Sequence, residues 1–291
     1  MSVSATERIR IVPTGAALGA DVKGIDPASP SGADIAAVKA ALRDHLVVRL
    51  RGYAIDDIAF TRFAARFGAL EAAPAYSRSR AVHVPDCPEI TIVSNVLEDG
   101  APIGEHGDGE LNWHSDQGFV DLPSAYTFLL GREVPPSGGN TSFCNMYNAA
   151  DRIQADLRDR LADLKLKHQR SHTAQGVRRP GYRDIGTDDP RELPGPQHPI
   201  LRTHPDSGRT ALYLGRRFGA YIAGLTLAES ERTLEELWSC AARPEDVWTQ
   251  EWQPGDLVIW DNRCTMHRRD AFPGQGRRRM HRLTTIGERP Y

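Results

Sequence analysis

The chain has 291 residues, of which 40% are hydrophobic and 25% charged, a composition typical of a globular protein with a sizeable core. Its 36 basic and 38 acidic residues leave a formal net charge of −2, which provides no global positive field for nucleic acid or an anionic membrane. Any attraction for an anionic small molecule must therefore come from a local cluster of basic side chains.

The N-terminal segment has no apolar core of the kind that a signal peptide needs, and no apolar run approaches the length of a membrane span. The four cysteines are scattered without a CxxC pair, which indicates reduced thiols. We therefore expect a cytoplasmic protein that binds neither nucleic acid nor membrane. The sequence shows no repeat and no linker, so we expect one domain over residues 1–291, and a homo-oligomer is compatible with this reading.

The first 70 residues predict short strands alternating with two helices. Residues 8–12 alternate polar and apolar side chains, as a strand does. Residues 33–46 carry apolar side chains at helical spacing, and the β-branched strand 47–50 follows them. Residues 58–67 predict a second amphipathic helix, with Gly68 in the position that a helix C-cap favours.

Strand patterns dominate from residue 89 onward. Two helical segments interrupt them, near residues 149–164 and 227–240. Many short strands without a βαβ rhythm favour a mainly β (α+β) fold, an antiparallel jelly roll or cupin-like sandwich with flanking helices. The predicted strands are 90–93, 126–130, 141–144, 210–214, 248–252, 257–260 and 282–286.

Residues 175–199 are rich in Arg, Pro, Gly and Asp and have neither a strand period nor a helix period. A loop of this length inside a compact domain is usually either functional or disordered. We expect this segment to be a mobile loop or a lid over an active site.

The most distinctive local motif is Asn112-Trp113-His114-Ser115-Asp116. Residues i and i+2 of an extended strand point to the same face, so His114 and Asp116 can reach one metal ion together. A divalent metal that must also bind O₂ and a chelating co-substrate needs protein ligands on one face only, and two imidazoles with one carboxylate supply that. Taken alone, the HxD triplet is weak evidence, because a surface histidine with a turn-capping aspartate is the commoner explanation, and a third ligand must come from elsewhere.

A second group of chemically active residues lies near the C-terminus. Residues 260–267 read Trp-Asp-Asn-Arg-Cys-Thr-Met-His and follow an apolar strand, and the basic run 277–282 comes next. Because this run enters an alternating apolar strand, some of its arginines must point inward. A buried guanidinium needs an anionic partner, and a carboxylate fits its fork best.

At these residues the chain resembles the taurine / 2,4-dichlorophenoxyacetate dioxygenase family of Fe(II)/2-oxoglutarate enzymes. The resemblance rests on the ordered set of motifs, from residue 13 to residue 282, and implies a double-stranded β-helix (jelly-roll, cupin-like) core. The set comprises His114-Ser115-Asp116, the GGxT element at 138–141, the GD…WDNR…H stretch from 255 to 267, and the arginines that follow.

The resemblance assigns a role to each of these residues. His114, Asp116 and His267 would be the catalytic iron ligands. Thr141 and Arg278 would hold the distal carboxylate of 2-oxoglutarate. Arg282, four residues further on, lies where some family members hold a substrate anion. With O₂ as the third cofactor, the implied reaction hydroxylates an unactivated C–H bond of a small anionic substrate and releases succinate and CO₂.

The sequence departs from the taurine-specific pattern at two positions. Ala73 stands where taurine-type members use a histidine for the sulfonate, and Glu110 replaces another substrate contact. Taurine itself is therefore disfavoured as the substrate. Tyr76 and Asn95 are further candidates for the substrate pocket, although a role in the core or in a turn fits them equally well.

Two other functions remain open on the sequence. Two histidines and a carboxylate also suit the catalytic Zn²⁺ of a hydrolase, but that reading leaves Thr141 and Arg278 unexplained. A cupin-like binding or sensor protein would use the pocket only to hold a ligand. An open-faced metal site argues against this second alternative, because a pure binder has no use for one.

Overall fold

The computed structural model describes residues 9–72, 83–84, 86–173, 176–179 and 181–291. Short strands dominate, as predicted. The first ten are β1 (Arg10–Pro13), β2 (Ala20–Lys23), β3 (Val47–Leu50), β4 (His83–Val84), β5 (Cys87–Ser94), β6 (Leu97–Glu98), β7 (Ala101–Pro102), β8 (Glu105–His106), β9 (Leu111–His114) and β10 (Ser124–Glu133). The others are β11 (Thr141–Asn145), β12 (Lys165–Lys167), β13 (Gln197–Pro199), β14 (Leu201–Thr203), β15 (Thr210–Leu212), β16 (Tyr221–Ile222), β17 (Val247–Gln250), β18 (Leu257–Asp261), β19 (Thr265–Arg269) and β20 (Arg279–Ile286).

Two sheets form the centre of the fold. The major sheet has the order β1-β2-β3-β18-β10-β20-β5-β4, with β8 also paired to β5, and the minor sheet has the order β17-β11-β19-β9. All pairings in the minor sheet are antiparallel. Among the described strands of the major sheet, β2/β3 and β5/β8 run parallel and the other pairs run antiparallel. This arrangement confirms the predicted jelly-roll core with flanking helices.

The helices are α1 (Gly32–His45), α2 (Asp57–Ala65), α3 (Met146–Asp151), α4 (Ala155–Leu161) and α5 (Leu227–Cys240), with a 3-10 turn at Pro244–Asp246. Two of them begin with a capping box, in which the N-cap side chain and an acidic N3 side chain bond each other's backbone N–H. The N-cap and N3 pairs are Ser31 with Asp34 and Thr226 with Glu229. None of the helices in the described residues has the length and apolar character that crossing a bilayer requires.

Two local predictions were wrong. Helix α2 ends at Ala65 with Arg66 as its C-cap in a right-handed conformation, so Gly68 is no C-cap. A Cβ on Gly68 would lie 3.4 Å from the side chain of Thr285, so this glycine allows the chain to pass close to β20. The predicted helix 149–164 is two helices, because the chain leaves α3 after Asp151 and starts α4 at Ala155.

Successive side chains of β10 point to opposite faces of the major sheet and belong to two different hydrophobic clusters. Leu129 joins a cluster between the two sheets that also contains Phe143 and Trp260. Phe128 and Leu130 join a second cluster beneath α1 and α2. Because successive strand residues point to opposite faces, Thr127 lies on the same face as Leu129, toward the interior of the sandwich.

The described part of residues 175–199 excludes 175 and 180 and contains no helix, as predicted. It ends in β13, which pairs with β12. Near its start, Arg178 forms an isolated bridge with His172. The segment is therefore anchored at both ends, and its role as a lid stays a prediction.

Candidate metal centre

His114 and His267 face each other across two neighbouring strands. His267 in β19 pairs directly with His114, the last residue of β9. Side chains of directly opposite residues in an antiparallel pair share one face of the sheet, and here the two ring centroids are 4.2 Å apart. The register of the minor sheet thus brings together two histidines that are distant in sequence.

Asp116 completes the group, but it does not lie on the strand as expected. Strand β9 ends at His114, and Asp116 is part of the turn that follows. Its Oδ1 atom is 3.8 Å from His114 Nε2 and 3.9 Å from His267 Nε2. One ligand atom from each of the three buried residues lies within 4.8 Å of the others, so the structure brings the predicted triad together.

The tautomer of His114 follows from its hydrogen bond. Nδ1 lies 2.7 Å from the carbonyl oxygen of Asn112, which can only accept, so Nδ1 carries the proton and donates. The lone pair is then on Nε2, which faces Asp116. A metal-binding histidine commonly has its other ring nitrogen bonded in this way. The His267 ring is held by Trp260, with ring centroids 4.7 Å apart.

The charge states of the three side chains suit metal binding. Burial, and then the charge of His267, lowers the pKa of His114 well below its ordinary value. Burial likewise lowers the pKa of His267. For Asp116, burial disfavours the carboxylate, but His267 and Arg282 outweigh it and hold the pKa below the ordinary value. Two neutral imidazoles and one carboxylate at neutral pH are what a divalent metal needs from this donor set.

Thr141 and Arg278 lie at the starts of strands in different sheets, β11 of the minor sheet and β20 of the major sheet. Thr141 is the first residue of β11, and its Oγ1 accepts a hydrogen bond from Trp252 Nε1 at 3.0 Å. Arg278 directly precedes β20. A Cβ on Gly139, which has φ +63°, would lie 3.2 Å from the Cδ and Nε atoms of Arg278. The second glycine of the GGxT element therefore leaves room for this arginine.

Arg278 is a buried cation, with 1% of its surface exposed. Among the described residues its Nε atom has no hydrogen-bond partner and no carboxylate pairs with it, while Glu133 pairs with the flanking Arg277 and Arg279. Burial, and next the nearby charge of Arg269, lowers its pKa to about 9. A guanidinium in such a position is stable only with an anion beside it, so these residues fit a carboxylate ligand such as 2-oxoglutarate.

Arg282 lies on the metal side of β20. Its Nη1 atom is 3.8 Å from Asp116 Oδ1, and 20% of its side chain is exposed. Asn95 lies elsewhere: its Oδ1 accepts from the Arg278 backbone N–H at 2.8 Å, and its Nδ2 donates to the Gly276 carbonyl at 2.9 Å. These bonds hold the backbone beside Arg278, and a substrate role for Asn95 stays a prediction. Tyr76 lies outside the described residues.

A cluster of side chains beside the HxD turn was not predicted. The Phe119 ring contacts two guanidinium groups, with its centroid 4.1 Å from Cζ of Arg179 and 4.4 Å from Cζ of Arg216. The loop that carries Arg216 touches the turn directly, because the Gly215 carbonyl accepts from Ser115 N–H at 3.1 Å. Since all these residues lie in loops, no periodicity in the sequence pointed to them.

Arg269 was missed as well. It is buried in β19 opposite Thr141, and its guanidinium is 5.2 Å from the Phe272 ring, which also lies 5.8 Å from that of Arg278. Burial lowers the pKa of Arg269 to about 10. The only signal in the sequence was its position two residues after His267, which places it on the same face of a strand.

A second cluster of metal-ligand residue types is structural. His204, Asp261 and Cys264 lie close together. Asp261 already accepts from His204 Nε2 at 3.0 Å and from both Nε and Nη2 of Arg263. Burial raises the pKa of the Cys264 thiol well above its ordinary value, so it stays protonated and is a poor metal ligand.

Comparison with known proteins decides the family. The family model described as "Taurine catabolism dioxygenase TauD, TfdA family" matches residues 10–284. The chain belongs to the TauD/TfdA family. The resemblance read from the motifs is thereby confirmed.

Individual TauD/TfdA relatives agree with this. The chain is 31% identical over 264 residues to an alpha-ketoglutarate-dependent 2,4-dichlorophenoxyacetate dioxygenase of Burkholderia sp. (strain RASC), which covers 89% of this chain and 88% of the relative. It is also 31% identical over 291 residues to pentalenolactone F synthase of Streptomyces avermitilis, covering 95% and 93%. The crystal structure of a taurine dioxygenase from Burkholderia xenovorans superposes with a TM-score of 0.79 at 28% identity, covering 97% and 90%.

The protein is therefore a 2-oxoglutarate-dependent dioxygenase, an oxidoreductase whose cofactors are Fe(II), 2-oxoglutarate and O₂. This confirms the enzyme class and the cofactors expected from the sequence. It also disfavours the two alternatives, since neither a zinc hydrolase nor a pure binding protein is what these TauD/TfdA relatives are.

Proposed function

We propose that this enzyme oxidises, and most simply hydroxylates, an unactivated C–H bond of a small anionic organic substrate. The single observation that carries the proposal is the geometry around Asp116. Its Oδ1 atom lies within 4 Å of two imidazole nitrogens and of Arg282 Nη1. A cation able to bind an anionic substrate therefore lies directly beside the three metal-ligand side chains.

His114, Asp116 and His267 are the iron ligands in this proposal. All three are buried, and two imidazoles with one carboxylate on one side of an ion are the donor set of the non-haem Fe(II) oxygenases. When bound, iron, 2-oxoglutarate and O₂ together supply the oxidising chemistry, which no side chain of the protein provides.

Thr141 and Arg278 bind the distal carboxylate of 2-oxoglutarate. The guanidinium of Arg278 offers two parallel N–H donors, and its burial makes a charge-assisted pair strong. Because Trp252 donates to Thr141 Oγ1, the hydroxyl hydrogen of Thr141 is directed elsewhere and is available to a carboxylate oxygen. Asn95 accepts a hydrogen bond from the backbone N–H of Arg278 and so helps to position the guanidinium group.

Arg282 binds the anionic group of the substrate. The electrostatic potential of nearby charged side chains favours an anion at this position. Arg216 adds positive potential at the centre, since its charge lowers the pKa of both His114 and His267. Glu71 offsets part of this field near Arg282, although burial raises its pKa and so disfavours its charged form. The relative named for 2,4-dichlorophenoxyacetate acts on an aryloxy carboxylate, which fits an arginine of this kind.

We also propose that residues 1–291 form one domain and that residues 175–199 cover the active site. The major sheet carries Arg282 and Thr127 on its inner face, and helices α1 and α2 pack on its outer face. The hydrophobic clusters on both faces therefore belong to the same sheet, as expected for one domain. Arg179 of the 175–199 segment contacts Phe119, three residues beyond Asp116. We therefore expect substitutions in residues 175–199 to affect the metal centre.

The first test separates iron/2-oxoglutarate binding from zinc chemistry. Anaerobic addition of Fe(II) and 2-oxoglutarate to the apoprotein should produce a weak visible charge-transfer band, and Zn²⁺ should produce none. We expect His267→Ala to abolish the band. A wild-type protein that gives no band under these conditions would contradict the proposed site.

The second test identifies the substrate class. Succinate release is screened across small carboxylates, sulfonates and sulfate esters, with matched neutral amides and alcohols as controls. We expect stimulation only by anionic compounds, and loss of that stimulation in Arg282→Ala. Stimulation by a neutral compound that survives Arg282→Ala would overturn the anionic assignment.

A further inference from the structure

The orientation of the Asp116 carboxylate is not set by strand geometry. The residue lies in the turn after β9, and the next residue, Gln117, has φ +54°. Two hydrogen bonds hold Asp116 instead. Its backbone N–H donates to Asn262 Oδ1 at 3.2 Å, and Thr127 Oγ1 donates to its Oδ2 atom at 2.8 Å.

These two bonds belong to one chain of hydrogen bonds whose direction is determined. The indole Nε1 of Trp260 can only donate, and it lies 3.0 Å from Asn262 Oδ1, so the amide oxygen faces the indole. The amide nitrogen then faces Thr127 and donates to its Oγ1 at 2.8 Å. Since that oxygen already accepts a bond, the hydroxyl hydrogen of Thr127 points to Asp116.

We propose that Thr127 and Asn262 are positioning residues that hold the Asp116 carboxylate with Oδ1 directed at the metal site. Thr127 occupies Oδ2, while Oδ1 faces the Nε2 atoms of His114 and His267. Without these bonds the carboxylate is free to rotate, and Oδ1 faces the two imidazole nitrogens only part of the time, so metal binding is weaker. The inference rests on the proposed metal site.

Burial makes this arrangement consequential. Thr127, Asn262 and Trp260 are all at most 1% exposed, so water cannot replace a lost bond. In a low dielectric a fully satisfied network is rigid, and a broken one leaves polar atoms unsatisfied. Trp260 also contacts the His267 ring. It therefore helps to position His267 directly and Asp116 through Asn262. Groups that orient metal ligands are generally worth about 10–100-fold in metal affinity.

The test is a titration of the apoprotein with Mn(II), followed by the EPR signal of the free ion, which needs no turnover. We expect Thr127→Val, which keeps the shape and removes the hydroxyl, to weaken Mn(II) binding by roughly 10–100-fold. Thr127→Ser keeps the hydroxyl and should restore nearly wild-type affinity.

Thr285→Val is the matched control. Thr285 is a buried threonine of β20 whose Oγ1 accepts a hydrogen bond from Tyr126 N–H at 3.0 Å. Removing this hydroxyl should destabilise the protein by a similar amount but leave Mn(II) affinity unchanged, because its bond with Tyr126 does not involve Asp116. Equal Mn(II) affinity in folded Thr127→Val and Thr285→Val would overturn the inference.

Two further variants keep the outcomes distinguishable. If Thr127→Val does not fold, Asn262→Leu decides, since it has a similar size but removes the donor to Thr127 without adding charge, and unchanged affinity there refutes the inference. His267→Ala tests the underlying site. If the wild-type protein binds Mn(II) no better than His267→Ala, the proposed metal centre fails. If it binds Mn(II) well and Thr127→Val binds equally well, only the positioning role fails.

Discussion

The proposed 2-oxoglutarate side and the proposed substrate side of the metal centre are built from different kinds of structure. Thr141 begins β11 and Arg278 directly precedes β20, so the first side rests on the two sheets. On the second side, Arg179 and Arg216 reach the HxD turn from loops, and Arg282 alone comes from a strand.

This difference explains why the sequence predicts the type of reaction but not the substrate. Residues on paired strands are held by the sheet register, so a spacing in the sequence corresponds to a position in space. Loop residues take their positions from contacts that no local pattern encodes, and loops are where binding specificity varies. If the two sides act separately, substitutions should affect 2-oxoglutarate and the substrate independently.

The largest effect should come from a residue that both sides need. His267→Ala should lower succinate formation and Mn(II) affinity by roughly 1,000-fold or more, since losing one of three ligands removes several kcal/mol of metal binding. His281→Ala is the control, because this buried histidine faces Asp57, 2.7 Å from its Nδ1 atom. Equal loss in both variants would point to general destabilisation instead.

Arg278→Met should affect the 2-oxoglutarate side alone. Charge-assisted hydrogen bonds are worth about 1.5–3 kcal/mol, so the KM for 2-oxoglutarate should rise by roughly 100-fold. The KM for the substrate should change little. Steady-state kinetics with each substrate varied in turn measure both values, and an unchanged KM for 2-oxoglutarate would remove Arg278 from the site.

Arg282→Ala should produce the reverse pattern with a smaller size. We expect the KM for the substrate to rise by roughly tenfold, because this side chain is partly exposed and solvent screens its charge. Binding of 2-oxoglutarate should stay nearly intact, as measured by the charge-transfer band. Equal damage to both substrates would contradict the division of labour between Arg278 and Arg282.

Arg216→Met should have the smallest effect, a rise of roughly two- to fivefold in the KM for the substrate. This rise should shrink at high salt, because salt screens the interaction between two separated charges. Arg217→Met is the matched control, since that arginine pairs with Glu231 on the surface. If the two variants behave alike, Arg216 contributes nothing specific to the substrate side.

Much of the fold and the centre was predictable because it depends on local patterns. Helix α5 has the predicted bounds, since its apolar spacing and its Thr226 cap are both local signals. The triad and Arg278 followed from ordered motifs. The contacts of Phe119 with Arg179 and Arg216 were not predictable, because these partners come from two distant loops.

The sequence alone determined the family, the mainly β core and the identity of the groups that meet at the metal centre, because motif order and strand alternation are properties of the chain itself. Only the tertiary structure decided how Asp116 is held. That residue lies beyond its strand, and its orientation comes from Thr127 in β10 and Asn262 after β18. Such contacts depend on the register of two sheets, which forms only when the whole chain has folded.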